Sequence, residues 1–224
     1  MITTDILRQV LTDNRNLVAQ KKVFPRDIEI GELSRCVLVG VRRSGKSYLL
    51  FSKIQSLLAS GHSWDKVLYV NFEDERLMGF DVADFNKLLE VQAELSGKDS
   101  LPALFLDEVQ LIDGWEKFAR RMADAQAEIY ITGSNAKMLS IQLAAALGGR
   151  FLTVNVFPLN FSEYLKAKGV AVRKDVWSST TGKARILREF AEFFEYGGLP
   201  ECLQFSNKLE YINSVFQKIY LGDI

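Results

Sequence analysis

The sequence reads Gly40-Val41-Arg42-Arg43-Ser44-Gly45-Lys46-Ser47 in its first quarter, and this stretch matches the pattern Gly-x4-Gly-Lys-Ser/Thr in full. Its glycines allow a tight turn, so that consecutive backbone amides can point at phosphate oxygens. The lysine adds a full positive charge, and the Ser47 hydroxyl can bind Mg²⁺. A chance match in a chain of 224 residues is on the order of 1% at ordinary glycine and lysine usage. The stretch therefore predicts a phosphate-binding loop.

The segments on either side of this loop are those that a phosphate-binding loop requires. A short apolar run over 36–39 predicts a buried strand before it, and 46–59 has the spacing of a helix after it. A helix that begins at the loop adds its positive end to the attraction for phosphate. We expect residues 40–47 and the next residue in the helix, Tyr48, to contact the nucleotide.

Strands and helices alternate across the middle of the chain. Further strands are predicted over 67–72, 103–106, 128–132 and 151–156, with helices between them over 83–95, 115–127 and 137–147. Alternation of this kind is typical of a parallel sheet covered by helices on both faces. A helix is predicted over 4–20, and the signal after 160 is mainly helical. The sequence thus predicts an α/β fold followed by a small helical unit.

Two carboxylates end the predicted strand 103–106. In phosphate-loop enzymes an aspartate at such a position, here Asp107, holds Mg²⁺ through water. A glutamate directly after it, here Glu108, can orient and deprotonate an attacking water. Only one predicted strand separates the loop strand from this one, which favours a sheet with another strand inserted between the two.

Other polar residues fall at the carboxyl ends of strands, where ligands of open parallel sheets bind. Ser134 and Asn135 follow the fourth strand, and each could contact the γ-phosphate or the attacking water, or cap the next helix. Asn71 could hydrogen-bond to Glu108 or serve only the strand end. Arg150 precedes the fifth strand and could either reach the nucleotide of a neighbouring subunit or form a surface ion pair.

Composition narrows the class of protein. Lys plus Arg and Asp plus Glu are both 28, so a large polyanion-binding surface is not indicated. The chain has two cysteines and one histidine, which argues against a zinc site or a Cys–His catalytic pair. Its apolar runs are too short to span a bilayer, and its start lacks the pattern of a signal peptide. We therefore expect a cytoplasmic protein with no membrane partner.

Further segments accompany the loop and the acidic strand end. They are Val109-Gln110 with Trp115, the run 131–135, Gly149-Arg150 ahead of Phe157-Pro158-Leu159, Gly197-Gly198-Leu199-Pro200-Glu201, and the end 220–224. Together they resemble the prokaryotic AAA+-superfamily ATPases that carry an uncharacterised C-terminal domain. The combination of Thr132-Gly133-Ser134 with Gly197-Gly198-Leu199-Pro200 is much more specific than the loop alone.

The resemblance implies a five-stranded AAA+-like parallel sheet of order 5-1-4-3-2. It implies ATP and Mg²⁺ as ligands, with Ser47 and Asp107 toward the metal, Lys46 and Glu108 in catalysis, and Ser134 or Asn135 as γ-phosphate sensor. Arg150 looks like the family's arginine before the last strand. The implied domains are an N-terminal helix and connector (1–33), an ATPase core (34–160) and a helical subdomain (161–224). Relatives are longer, so we expect a chain that stops before their C-terminal domain.

Three functions are weighed on these residues. The first is an Mg²⁺-dependent ATPase that couples hydrolysis to a conformational change in a partner or in the missing C-terminal region. The second is a nucleotide-gated module that binds a protein or DNA with negligible turnover. The third, a phosphotransferase, is weakened because nothing identifies an acceptor site. A homo-oligomer is compatible with the first two. The stretch 21–33, with Phe24 and Arg26, predicts either an adenine-side wall or plain packing.

Overall fold

A computed structural model describes residues 2–28, 30, 34–97, 100–134, 146–171 and 178–222. The strands are β1 (Arg35–Val39), β2 (Val67–Asn71), β3 (Ala103–Asp107), β4 (Ile129–Gly133) and β5 (Leu152–Asn155). The helices are α1 (Thr4–Gln20), α2 (Lys46–Ala59), α3 (Asp84–Ser96), α4 (Trp115–Asp124), α5 (Phe161–Ala167), α6 (Thr180–Tyr196) and α7 (Lys208–Gly222).

The five strands form one sheet in the order β2-β3-β4-β1-β5, and every neighbouring pair is parallel. Read from the other edge, this is the predicted order 5-1-4-3-2, so the predicted fold class is confirmed. The order places β4 between β1, which leads into the phosphate loop, and β3, which ends in the acidic pair. The carboxyl ends of β1, β4 and β3 therefore lie side by side.

Burial explains why the central segments read as continuous apolar runs. Four of the five residues of each of β1, β2 and β3, and all five of β4, are buried. A strand covered on both faces cannot alternate apolar with polar side chains. Helices α1, α3 and α4 supply part of the cover, and the Phe85 and Phe118 rings of α3 and α4 stack with centroids 4.1 Å apart.

Most element ends lie within a few residues of their predicted positions. The predicted helix 115–127 stops at Asp124 because the backbone leaves the helical region, with Gln126 at φ 60°. Helix α6 begins at Thr180, where Ser179 caps it by accepting a hydrogen bond from the Gly182 amide. The predicted helix 137–147 lies almost wholly outside the described residues. No helix in the described ranges has the length and apolar character needed to cross a membrane.

The chain divides into two compact units. The first comprises Met1–Val23, Glu29–Gly40 and Lys46–Asn155, and it contains the sheet. The second comprises Phe24–Ile28, Val41–Gly45 and Val156–Ile224, and it contains α5, α6 and α7. Residues 41–45 of the phosphate loop thus pack with the second unit, whereas Gly40, Lys46 and Ser47 belong to the first. The predicted domains 1–33, 34–160 and 161–224 stay predictions.

Candidate nucleotide site

The phosphate loop has the backbone of a tight turn. Gly45 has φ +96°, a conformation that side chains with a Cβ rarely adopt, and the Ser44 amide donates to the Val41 carbonyl at 3.3 Å. The Ser44 side chain is buried, and its Oγ has no hydrogen-bond partner among the described residues. An orphaned buried hydroxyl is uncommon in folded proteins and needs an explanation. A phosphate oxygen bound by the loop would provide that partner.

Lys46 lies at the first turn of α2 and is only 4% exposed. Its ammonium group donates to the carbonyl of Gly40 at 3.1 Å, so the lysine reaches back across the mouth of the loop. Burying an ammonium group is costly unless a polar or charged partner accompanies it. The position suits a group whose charge is turned toward phosphates at the end of β1.

Asp107, the last residue of β3, is held by three hydroxyl groups of the first unit. Tyr69 Oη donates to Asp107 Oδ2 at 2.9 Å, Thr132 Oγ1 donates to Oδ1, and the Ser47 side chain forms a third hydrogen bond. The carboxyl group is buried, with 1% of the residue exposed. These contacts fix the carboxylate beside the serine hydroxyl at the start of α2; the metal roles of the two residues stay predictions.

Burial raises the pKa of Asp107, although the hydrogen bonds from Thr132, Ser47 and Tyr69 each work in the opposite direction. Removal from water disfavours the charged form, and donors restore part of its stability. Burial likewise raises the pKa of Tyr69 well above its ordinary value, and the adjacent Asp107 charge adds to the effect. Tyr69 therefore stays protonated and able to donate to Asp107.

Glu108 has a strained backbone, with φ 54° and ψ 41° in the left-handed region. Such a conformation costs a non-glycine residue about 1–3 kcal/mol and is frequent at functional sites. The Glu108 amide donates to Thr132 Oγ1 at 2.9 Å, which holds this backbone in place. Its side chain accepts hydrogen bonds at Oε2 from Ser134 Oγ, at 2.7 Å, and from Gln110 Nε2.

The side-chain oxygens of Ser47 and Asp107 suit Mg²⁺ better than they suit a metal that is held by protein ligands alone. In the described ranges, no cluster of three or more His, Cys, Asp or Glu side chains is placed to hold a metal ion. Mg²⁺ prefers oxygen ligands, keeps several waters, and is usually held by one or two protein groups together with substrate phosphates. One hydroxyl and one carboxylate that already contact each other meet that requirement.

A cleft of about 410 Å³ opens beside this cluster within the first unit. Ser47, Tyr48 and Asp107 line one side, and residues of α1 and of the segment after β2 line the other. Tyr48 is 39% exposed and its ring packs against Phe51, with centroids 5.4 Å apart. The exposed edge of Tyr48 is therefore available to a ligand next to Ser47.

Two further predicted residues, Arg150 and Asn71, contact other residues of the first unit. Arg150 pairs with Asp124 at the surface, Nε to Oδ1 at 2.7 Å, so its action toward a neighbouring subunit stays a prediction. Asn135 lies outside the described residues. Asn71 does not bond to Glu108 but accepts from the Glu73 amide at 3.0 Å, which is the strand-end alternative.

No site role was predicted from the sequence for three residues that the fold brings to the site: Tyr69, Thr132 and Gln110. Tyr69 and Thr132 are buried polar residues among mostly apolar strand residues, and that contrast is the signal that could have identified them. Gln110 lies in the short helical turn after Glu108 and was named from the sequence only as part of the resemblance. All three act on the carboxylates of Asp107 and Glu108.

Arg26, in the stretch 21–33, packs within the second unit. Its Nε donates to Glu163 Oε1 at 2.8 Å, and its two terminal nitrogens donate to the carbonyls of Ser44, at 3.1 Å, and Phe157, at 2.8 Å. All three guanidinium nitrogens thus donate hydrogen bonds inside this unit, one of them to the phosphate loop. These contacts favour the packing alternative for Arg26.

The fold and the site together define a P-loop nucleotide-binding protein with the AAA+ strand order. A family model described as "AAA domain" matches residues 34–165, more than half of the chain. The chain belongs to this AAA domain family, and its function is of the nucleotide-binding, ATPase-like kind.

The most informative curated relatives are themselves uncharacterized. A protein of Methanocaldococcus jannaschii is 40% identical over 227 residues and matches 100% of this chain but 49% of its own length. A Haemophilus influenzae protein is 34% identical over 192 residues, covering 84% of this chain and 45% of its own. The chain thus spans about half the length of the curated relatives it matches.

Two solved structures are similar across nearly the whole chain. AMPPCP-bound DnaA from Aquifex aeolicus is 15% identical with a TM-score of 0.42, covering 96% of this chain and 68% of its own. A closed-state Hsp104 complex with ATPγS and casein is 14% identical with a TM-score of 0.49, covering 97% and 40%. The assignment to the family does not depend on these distant similarities.

Proposed function

We propose that the chain binds ATP with Mg²⁺ at residues 40–47 and hydrolyses it. The observation that carries the proposal is the arrangement at the end of β3. Asp107 is bonded to Ser47 of the phosphate loop, and Glu108 projects its carboxylate to Ser134 at the end of β4. A metal-holding group and a candidate base thus lie on consecutive residues beside the loop that receives the triphosphate.

Each residue has a defined task in this proposal. The loop amides and Lys46 hold the phosphates and stabilise the charge that develops as the terminal phosphoryl group leaves. Ser47 and Asp107 hold Mg²⁺, which neutralises phosphate charge when bound. Glu108 accepts a proton from the attacking water. Ser134 or Asn135 senses the γ-phosphate, and Arg150 acts from a neighbouring subunit.

The decisive variant is Glu108→Gln, which removes the base but keeps the shape of the side chain. We expect phosphate release to fall at least about 100-fold, because a positioned base contributes about 10²–10⁴ in rate. Mg·ATP affinity, measured by calorimetry, is expected to change little. Glu90→Gln, the same change on an exposed residue of α3, is the control. Equal phosphate release by wild type and Glu108→Gln would remove Glu108 from the base role.

One observation favours the second candidate, a nucleotide-gated interaction module with negligible turnover. Ser134 and Gln110 both donate to Glu108 Oε2, so two neighbouring side chains occupy one of the two oxygens that an attacking water could use. Ser134→Ala in the same assay separates the two functions. Release that rises in Ser134→Ala from a negligible wild-type level supports a restrained, gated module. Release that falls from a measurable level supports Ser134 as part of the hydrolytic site.

The partner acted on belongs to the same proposal. The chain spans about half the length of its curated relatives. We propose that hydrolysis is coupled to a conformational change in a protein or DNA partner, or in a C-terminal region of a longer protein. A homo-oligomer would bring Arg150 to the site of a neighbouring copy. We place the protein in the cytoplasm.

A further inference from the structure

Arg43 occupies an unusual position in the phosphate loop. It has φ 63°, in the left-handed region that favours glycine. A bulky residue persists in that conformation when its surroundings hold it there, and such residues cluster at ligand sites and switches. Because this backbone conformation disfavours arginine, the contacts of the Arg43 side chain should explain why an arginine stands here.

The Arg43 guanidinium is held by two residues of the same unit. Its Nη1 lies 3.1 Å from Glu201 Oε2, and its central carbon lies 5.4 Å from the centre of the Tyr211 ring. Tyr211 Oη in turn donates to Glu201 Oε2 at 3.0 Å. The three side chains thus contact one another in a closed set, which we term the Arg43 cluster (Arg43, Glu201 and Tyr211).

The two partners of Arg43 are anchored firmly. Glu201 lies in the short helix Pro200–Gln204, which begins two residues after Gly198. A Cβ at Gly198 would come within 2.0 Å of the Leu159 carbonyl oxygen. The Leu159 amide also donates to the Gly198 carbonyl at 2.7 Å. Tyr211 lies on α7 and is buried with Cys202 and Val215 in a small apolar core. A displacement of Arg43 would therefore act directly on Tyr211, which lies on α7.

We propose that Arg43, Glu201 and Tyr211 are positioning residues that link the phosphate loop to α7, so that nucleotide binding alters the stability of α7. The inference rests on the proposed function only in requiring that the loop binds a triphosphate. Phosphate bound to the loop amides fixes the backbone around Arg43. A fixed backbone holds the guanidinium against Glu201 and Tyr211, which stabilises the first turns of α7.

Linkage makes the effect reciprocal, because two sites that share a coupling free energy change each other's affinity by the same factor. Loss of the Arg43 cluster should therefore weaken nucleotide binding, and it should also remove the effect of nucleotide on the stability of α7. The two charged members of the cluster are partly exposed, at 36% for Arg43 and 44% for Glu201, so the coupling is modest. We expect a change of about five-fold, at the lower end of measured couplings.

The test is hydrogen exchange of the amides of residues 208–217, with and without Mg²⁺ and a non-hydrolysable ATP analogue. Arg43→Gly is the informative variant, because glycine tolerates φ 63° and the loop keeps its shape while the guanidinium is lost. Glu201→Gln removes the partner charge. Arg188→Ala removes an arginine of the same unit that is 77% exposed and lies 3.8 Å from Glu189.

In wild type and Arg188→Ala we expect nucleotide to slow exchange in α7 about five-fold. In Arg43→Gly and Glu201→Gln this slowing should be lost, although both variants still bind the analogue. If α7 responds equally in wild type and Arg43→Gly, or does not respond in a wild type that binds the analogue, the inference is wrong while the proposed function stands. If wild type binds no nucleotide, the proposed function itself fails.

Discussion

The two consecutive carboxylates at the end of β3 differ in their surroundings. Asp107 is buried and accepts hydrogen bonds from three hydroxyl groups. Glu108 has a left-handed backbone, and its half-buried side chain accepts a hydrogen bond from Ser134. Hydroxyl donors hold Asp107 in one orientation, which suits a metal ligand. The turn at Glu108 directs the next carboxylate to the neighbouring strand, which suits a base. The proposed difference in role rests on this difference in environment.

The pH dependence of Mg·ATP binding is predicted from Asp107. Only its ionised form attracts Mg²⁺, and burial raises its pKa, so affinity should decline at a higher pH than for an ordinary aspartate. Tyr69→Phe removes a donor that favours the charged form, which should raise the pKa further and move the decline toward neutral pH. Calorimetric titrations from neutral to mildly acidic pH measure this. Superimposable pH profiles for wild type and Tyr69→Phe would contradict it.

At the scale of elements, the start of α5 combines a helix cap with contacts to the segment that supports the phosphate loop. Asn160 and Glu163 form a capping box, in which each side chain accepts from the backbone amide of the other. The Glu163 carboxylate, 3% exposed, also accepts from the Arg26 guanidinium and the Asp27 amide. Arg26 reaches the Ser44 carbonyl in turn. One buried carboxylate thus fixes both a helix end and the segment that supports the phosphate loop.

Glu163→Gln is predicted to destabilise the second unit by about 3 kcal/mol, because it leaves the buried Arg26 charge without its partner. Burial raises the pKa of Glu163, but the bonds from Arg26 and the amides of Asp27 and Asn160 outweigh it, so the net pKa is lowered. A lowered carboxyl pKa stabilises the fold above the pKa of the unfolded chain, and this stabilisation disappears as pH falls through the folded pKa.

Urea unfolding monitored at neutral and acidic pH checks this prediction. Wild type should lose stability toward acid more steeply than Glu163→Gln, since the variant lacks the titrating group. Glu90→Gln, an exposed replacement of the same kind, should behave as wild type. Equal unfolding free energies for wild type and Glu163→Gln at neutral pH would show that the Arg26–Glu163 pair does not stabilise the unit.

At the scale of the whole molecule, the phosphate loop is shared by two compact units. Gly40, Lys46 and Ser47 belong to the unit with the sheet, and residues 41–45 belong to the unit with α5, α6 and α7. Any ligand that binds the folded state alone stabilises it by mass action.

We predict that Mg·ATP at about 100 times its Kd raises the unfolding free energy by about 2.7 kcal/mol. Lys46→Ala should abolish this stabilisation, because it removes the charge directed at the phosphates. Thermal unfolding over a series of ATP concentrations measures both. A wild-type unfolding temperature that does not change with ATP would contradict nucleotide binding, and retained stabilisation in Lys46→Ala would contradict the role of that lysine.

The features that could be predicted from the sequence each depend on residues that lie close together in the chain. The loop pattern spans eight consecutive residues, and each strand or helix shows its own apolar periodicity. The fold class and the pair Asp107-Glu108 could therefore be predicted from local sequence, and the strand order could be predicted from the resemblance. Ser134 followed from its place at a strand end. These features need no knowledge of how distant segments meet.

The supporting contacts were decided only by the tertiary structure. Thr132 reaches Asp107 across 25 positions, Tyr69 across 38, and Arg43 meets Glu201 across 158. No periodicity in the chain encodes such pairs, because each depends on the register of adjacent strands or on how a turn packs beside a loop. The sequence by itself determined that a phosphate loop and two carboxylates exist. Packing of buried strands determined which hydroxyl groups orient them, because a buried polar group must find its partner in three dimensions.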